Sequence, residues 1–295
     1  MTADVSGAGR FAPSPSGDLH VGNLRTALLA WLWARSTGRR FLLRIEDLDR
    51  VQAGVEERQL ADLRAIGLDW DGPVVRQSER QRMYDNAVER LRADGRTYPC
   101  FCTRREILDA PSAPHAPPGS YPGTCRDLTA FEQERRSAER PAAVRLSADV
   151  DSWTITDELH GRFTGAVDDF VLRRNDGVPA YNLAVVVDDS EQGVDQIVRG
   201  DDLLTSAPRQ AYLASLLGYP DTTYVHVPLA LNSSGVRLAK RDGAVTREAL
   251  ESRGVDVFHV IAESLGISGS RPADLLGSFD PIRTPRDPWL FVPPT

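Results

Sequence analysis

The sequence is nearly devoid of lysine. Among 35 basic residues only one, Lys240, is a lysine, and the rest are arginine. Where arginine serves every other cationic position, a lone lysine marks a place that needs a compact, flexible ammonium rather than a planar guanidinium. Cysteine is scarce too, with three in 295 residues. An odd count, and no export-signal pattern in residues 1–9, point to a reducing cytoplasm and to thiols that act as ligands or core. Long apolar runs are missing. The longest, Ala27 to Ala34, lies between Arg25 and Arg35 and is too short to cross a bilayer, so a membrane is not an expected partner. Basic excess is missing as well. A net charge of −7 argues against nucleic-acid binding through overall charge, although the pairs Arg39-Arg40, Arg104-Arg105, Arg135-Arg136 and Arg173-Arg174 leave room for local patches. Neither G-x-x-x-x-G-K-[ST] nor G-x-G-x-x-G occurs, which excludes the P-loop and the dinucleotide fingerprint.

What is present begins with RFAPSPSGDLHVGN, Arg10 to Asn23. Pro13 and Pro15 forbid helix and favour a strand end. Leu24, Leu28, Leu29 and Leu32 then recur at helical spacing, with Gly38 as a stop. A strand thus turns at Ser16-Gly17 into a helix that opens near His20-Val21-Gly22. Such a turn aims backbone N–H groups and a positive helix end at one point, which suits an anion. His20 adds an imidazole donor for a phosphate oxygen, and Gly22 lets a base or phosphate approach the backbone. On its own, His-x-Gly-Asn is too short to exceed a plain strand–helix corner.

FLLRIEDLDR (41–50) reads as a buried strand with Glu46, Asp47 and Asp49 at its carboxyl end, where α/β sheets place ligands. A carboxylate there can hold a substrate ammonium. Val55, Leu60, Leu63 and Ile66 predict a helix stopped at Gly67, and Ser78 with Gln81 predicts a capping box for the next one, ending at Gly95. Cys100-Phe101-Cys102 follows. Thr103 caps a short helix, and a proline-rich loop runs to Cys125. Three thiols with Tyr121 or His115 between them fit a tetrahedral zinc site, and chemistry alone favours His115 as the fourth ligand. Residues 142–179 read as strands of a β-rich insertion, with a turn at Asn175-Asp176-Gly177. YNLAVVVDD reads as a parallel strand buried on both faces. IVRGDDLL is a further strand, Thr205 and Pro208 open a helix to Leu217, and YVHVPLAL is the last core strand. The loop NSSGVRLAKRDGA carries the sole lysine. From Val245 the pattern is helical, and the tail after Ser270 is expected along the surface.

PSPSGDLHVGN resembles the HIGH signature of class I aminoacyl-tRNA synthetases in its glutamyl/glutaminyl form. RLAKR (237–241) resembles the KMSKS loop. Arg237 stands for a lysine and Ala239 for the serine, while the lysine at 240 is kept. RFAPSPSG, HVGN, RIEDLDR, YNLAVVVDD, RGDDLL and RLAKR occur in family order over residues 10–245. Only about 50 residues follow Lys240, too few for a large helical anticodon-binding domain. With its C-x-C…Y-x₃-C pattern, the chain resembles the glutamyl-queuosine tRNA(Asp) synthetases, a truncated branch of the glutamyl enzymes.

That resemblance implies an α/β fold: a Rossmann-type parallel sheet with an inserted zinc-containing α+β subdomain, a short helical C-terminal segment and no anticodon-binding domain. Residues 1–99 and 180–243 would form the two halves of the core, 100–179 the insertion and 244–295 the helical segment. It makes Cys100, Cys102, Tyr121 and Cys125 the zinc ligands, overruling His115. It implies a glutamate pocket of Arg10, Ser14, Glu46, Tyr181 and Arg199. ATP, carried with Mg²⁺, would meet His20, Gly22 and Lys240, with His20 and Lys240 catalytic. The implied reaction is tRNA-independent activation of L-glutamate to glutamyl-adenylate, then transfer to queuosine in the anticodon of tRNA(Asp) by a monomer. Two other readings stand beside it: a truncated synthetase charging the tRNA 3′ end, and a non-catalytic relative, which Ala239 favours.

Overall fold

The computed structural model describes residues 7–109, 121–238 and 245–293. Strand β1 (Ala8–Phe11) is buried throughout and runs through the proline-broken segment into helix α1 (Val21–Ser36). Most of α1 is buried, so its apolar residues run nearly all round it instead of forming a stripe. Gly38 ends the turn after α1 with φ 72°, a conformation that favours glycine. Next come β2 (Arg40–Ile45), α2 (Val55–Ala65), the short β3 (Val75–Arg76) and α3 (Gln81–Ala93). A middle region holds β4 (Thr97–Cys100), α4 (Arg104–Asp109), α5 (Ala130–Ser137), β5 (Ala143–Leu146), β6 (Ser152–Asp157), β7 (Gly161–Ala166) and β8 (Val171–Arg173). Then follow α6 (Tyr181–Glu191), β9 (Val194–Gly200), α7 (Ala207–Leu216), β10 (Thr223–Val227) and β11 (Ala230–Leu231). The last described elements are α8 (Arg247–Glu251), α9 (Val257–Ser264), α10 (Pro272–Leu275) and β12 (Trp289–Leu290).

Seven strands form the main sheet in the order β3-β2-β1-β9-β10-β6-β7. All neighbours are parallel except the β6–β7 hairpin. Helix α1 covers one face together with α9 and α10, while α6 and α7 cover the other. Burial on both faces is what lets a parallel sheet persist. From β1 the chain proceeds outward to β2, and from β9 outward the other way to β10. The strand order therefore reverses between β1 and β9, and a cleft opens beyond their carboxyl ends.

The α/β class with a mostly parallel main sheet is as expected, but four local expectations need correction. YNLAVVVDD is not a strand; it is helix α6. Its three valines favour strand, and Leu183 to Asp189 are all buried, so no polar face betrays the helical period. Second, hairpin β6–β7, expected in the insertion, extends the main sheet, with Tyr224 of β10 paired to Asp157. Only β4, β5 and β8 make a separate antiparallel sheet. Third, Ser78 does not cap α3. Its hydroxyl and N–H both donate to Asp47 instead, tying the β2 exit to the α3 entry. Fourth, the tail after Ser270 is partly core. Leu275 and Phe291 are buried, Trp33 Nε1 donates to Thr284 Oγ1 at 3.2 Å, and β12 pairs with β11.

Candidate active site and thiol cluster

The cleft at the β1/β9 switch has a volume of about 710 Å³, and Arg10, Ser14, His20, Gly22, Glu46, Tyr181 and Arg199 all line it. Its floor is set by β1. Arg10 is 4% exposed; its Nε donates to Asp189 Oδ1 at 3.1 Å and its Nη1 to the Val198 carbonyl at 3.2 Å. The same Asp189 oxygen accepts Arg44 Nη1 at 2.7 Å, and Arg44 Nη2 reaches Glu46 at 3.4 Å. Its neighbour Asp188 collects Arg80 Nε at 2.6 Å, Gln77 Nε2 at 2.8 Å and the Tyr84 hydroxyl. Two adjacent aspartates near the end of α6 thus brace β1, β2 and α3.

These contacts set the charge states. Burial works to raise the Asp189 carboxyl, yet Arg10 and Arg44 hold it below the ordinary value. Glu46 goes the other way. Burial raises it more than Arg44 and Arg10 lower it. One Asp189 is shared by two arginines, Arg10 and Arg44, so Arg10 and Arg199 line the cleft as two cationic groups beside the acid Glu46. That is the pattern a zwitterionic ligand needs.

The segment after β1 is held by its backbone. Gln59 Nε2 donates to the Ser14 carbonyl at 3.0 Å and the Gly17 carbonyl at 2.7 Å, and Glu46 N–H donates to Pro13 at 2.9 Å. His20 is the N-cap of α1. Its Nδ1 accepts from Asn23 N–H at 3.2 Å, and Asn23 Oδ1 accepts from His20 N–H at 3.1 Å. An accepting Nδ1 puts the proton of the neutral ring on Nε2. Gly22 has a tighter reason than ligand approach. A Cβ there would lie 2.7 Å from Ala230 Cβ and 3.1 Å from the His20 ring. Tyr181 is the first residue of α6, not a strand residue, and is 43% exposed.

Lys240 and Ala239 lie outside the described residues, as does His115. The ends of the lysine loop are described. Leu238 N–H donates to Ala230 O at 2.9 Å, Val21 N–H donates to Val245 O at 2.8 Å, and Thr246 bridges to His20. The loop therefore starts and finishes beside the α1 N-terminus, although more than 200 residues separate the two in sequence.

The second constellation sits on the small sheet. The Cys100, Cys102 and Cys125 sulfurs all lie within 4.8 Å of one another. Cys102 Sγ is 3.5 Å from Cys125 Sγ, and the Tyr121 hydroxyl is 3.4 Å from Cys100 Sγ and 3.7 Å from Cys102 Sγ. Zinc–sulfur bonds of about 2.3 Å imply tetrahedral edges of roughly 3.7 Å, so the three thiols and the phenol have the dimensions of one zinc shell. Burial works to raise the Cys125 thiol, yet hydrogen bonds from the Phe101 backbone and Tyr121 hold it below its ordinary value. Burial pushes Cys102 up to about 11. Two cations attend the cluster. Arg136 Nη1 donates to Cys125 Sγ at 3.5 Å, and the Arg145 guanidinium lies 3.7 Å from the Tyr121 ring centre.

Comparison with known proteins follows the same lines. Residues 8–274 match the family model of class I tRNA synthetases (E and Q), catalytic domain. A glutamate tRNA ligase from Elizabethkingia meningosepticum, solved in complex with its amino acid, superposes with a TM-score of 0.82 at 27% identity. The match covers 98% of this chain and 67% of that one. A Glutamyl-Q tRNA(Asp) synthetase of Nocardia farcinica is 64% identical over 98% of this chain and 94% of its own. The chain belongs to the glutamyl-Q tRNA(Asp) synthetase family. Another member, from Cutibacterium acnes, is 55% identical over 88% of this chain and 76% of its own. Membership makes the chain an enzyme, a ligase of the class I tRNA synthetase kind. No helix among the described residues is long and apolar enough to cross a membrane.

The family motifs brought the cleft-lining residues to notice but not their supports. Asp188, Asp189, Arg44, Gln59, Asp157 and His226 were all missed. Asp188 and Asp189 were hidden because YNLAVVVDD reads as a strand buried on both faces, whereas it is a helix. The run shows no helical period in its sequence, and Pro179 lies just before the N-cap Ala180 rather than at the first helical position, so the helix start was not marked.

Proposed function

We propose that this family member activates L-glutamate with ATP, without tRNA, and passes the glutamyl group to queuosine in the anticodon of tRNA(Asp). The observation that carries the reading is the convergence of Arg10, Ser14, Glu46, Tyr181 and Arg199 with His20 and Gly22 in one cleft at the strand-order switch. Arg10 and Arg199 take the two carboxylates of glutamate, Glu46 its ammonium, and Tyr181 positions the chain between them. A glutamate carboxylate oxygen then attacks the α-phosphorus of ATP. The new P–O bond forms as the bond to pyrophosphate breaks, and pyrophosphate leaves. His20, held with its proton on Nε2, and Lys240 neutralise charge that develops on the phosphates. ATP would carry Mg²⁺, which would offset part of the phosphate charge. The family name carried by the relatives supports queuosine in tRNA(Asp) as the acceptor.

Cys100, Cys102, Tyr121 and Cys125 hold one structural Zn²⁺, and the spacing of the donors supports this. The metal would crosslink the ends of the 100–125 loop. The protein works as a cytoplasmic monomer.

The test is ATP–pyrophosphate exchange in nuclease-treated enzyme, followed by charging of tRNA(Asp) with and without queuosine. Exchange with glutamate alone, and transfer only to queuosine-containing tRNA, is expected. Glutamine should be poorer by about 2 kcal/mol or more, because an arginine loses its charged partner. Strict dependence on tRNA would reject a preformed site. Charging at the 3′ end would favour the ordinary glutamyl reading, and absence of exchange the non-catalytic one.

A further inference from the structure

Arg10 and Arg199 face the same cleft, yet they are held by opposite means. Arg10 rests on a carboxylate, Asp189. Arg199 rests on an imidazole. Its Nε donates to His226 Nε2 at 3.0 Å and its Nη2 to the Leu203 carbonyl at 3.4 Å, while Nη1 is buried without a hydrogen-bond partner. Arg199 is 6% exposed and lines the cleft. An unpaired buried N–H is costly unless something arrives to accept it.

An imidazole nitrogen that accepts from a guanidinium must carry no proton. The other ring nitrogen, Nδ1, then holds it and donates to Asp157 Oδ2 at 2.6 Å. His226 is fully buried, and its own N–H donates to the same oxygen at 3.0 Å. The second Asp157 oxygen accepts the N–H groups of Leu159 at 2.9 Å and His160 at 3.0 Å. Four donors fix Asp157, Asp157 fixes the tautomer of His226, and His226 offers a neutral acceptor to Arg199. The rings of Tyr224 and His226 stack 5.9 Å apart at an interplanar angle of 10°, which restrains the imidazole.

We propose that His226, oriented by Asp157, is a positioning residue that aims Arg199 at a carboxylate of the amino-acid substrate without neutralising it. The physical point is the spacer. A carboxylate touching Arg199 directly would compete with the substrate for the guanidinium. Placed one imidazole away, Asp157 supplies orientation while the charge of Arg199 stays available to the ligand. Specificity for a dicarboxylate over its amide then depends on a pair that never touches substrate. The inference rests on Arg199 as a glutamate ligand.

The experiment is ATP–pyrophosphate exchange with KM measured separately for glutamate and ATP, in His226→Leu, His226→Gln, His226→Asn, Arg199→Ala and the Arg199→Ala/His226→Leu double variant. His226→Leu removes the acceptor and should raise glutamate KM about tenfold, with ATP KM little changed. Gln can return an oxygen near the Nε2 position and should recover most of the loss, whereas Asn reaches only the Nδ1 position and should not. The double variant should be no worse than Arg199→Ala, because one effect runs through the other. Should His226→Leu fail to fold, the Gln and Asn variants decide. Equal glutamate KM in Gln and Asn, parallel rises in both KM values, or multiplying effects in the double variant would overturn the proposal. If Arg199→Ala leaves glutamate KM unchanged, the glutamate assignment itself falls. If Arg199→Ala raises it and the His226 variants do not, only the positioning role falls.

Discussion

The cleft and the thiol cluster are built on opposite plans. The cleft is assembled from distant parts of the chain. Arg10 meets Asp189 across 179 positions and Arg44 meets it across 145. Most of its buried polar groups are tied to protein partners, with Arg199 Nη1 among the exceptions. The cluster is local: Cys100, Cys102, Tyr121 and Cys125 fall within one loop and its flanks, on a three-stranded sheet outside the main one. Its donors contact mainly one another. The difference teaches where each site gets its order. Charge pairs under a parallel sheet hold the cleft in shape before any ligand comes. On the proposed zinc reading, thiols gathered at the dimensions of a zinc shell would gain their order when the ion binds.

The sharpest way to break that comparison is to remove the acid beneath the cleft. Asp189→Ala leaves Arg10 and Arg44 buried without their shared partner, and loss of one member of a buried pair costs about 3–5 kcal/mol. Denaturant unfolding should show a loss of that order for the whole core. A loss under 1 kcal/mol would mean that the network is ornamental. The cluster should behave otherwise. Cys102→Ser is expected to take bound zinc from about one per chain to near none and to raise hydrogen exchange in residues 97–146, leaving β1 and β9 protected. Full zinc content in that variant would reject the ligand set, and equal loosening of β1 would erase the distinction between the regions.

Two smaller effects sharpen the cleft side. Glu46 is kept there at a cost, since burial lifts its pKa. Glu46→Gln should leave the melting temperature unchanged or higher while raising glutamate KM about tenfold, as expected when a charged hydrogen bond to an ammonium is lost. A lower melting temperature with an unchanged KM would reverse the assignment. The mildest test is acid. Asp189 has a depressed folded pKa, so its contribution is complete above the ordinary aspartate range and is lost as pH falls through the folded value. Stability measured from pH 6 downward should fall less steeply in Asp189→Asn than in the parent chain. Identical slopes would show that Asp189 is not a source of the acid lability.

Much of this protein was written locally. Pro13, Pro15 and the leucine period after His20 set the strand–turn–helix corner, and the order of six short motifs placed the cleft-lining residues. The lone lysine flagged its loop, and the C-x-C…Y-x₃-C spacing flagged the cluster. These signals survive in sequence because each is settled within one stretch of chain: a ring that fixes φ, a helical stripe, thiols at the two ends of one loop.

Only the tertiary structure decided the rest. Helix α6 has the composition of a strand, and nothing within it reveals that it packs against β9, α3 and α7. The β6–β7 hairpin has the alternation of an insertion strand pair, and joins the main sheet where Asp157 pairs with Tyr224 on the edge of β10. The supports of the two cleft arginines, Asp189 for one and the Asp157–His226 relay for the other, come together across separations of 27 to 179 residues. A buried charge finds its partner through the packing of layers. Sequence carries the charge and the burial preference, but which acid lies beneath which arginine is a property of the folded sheet.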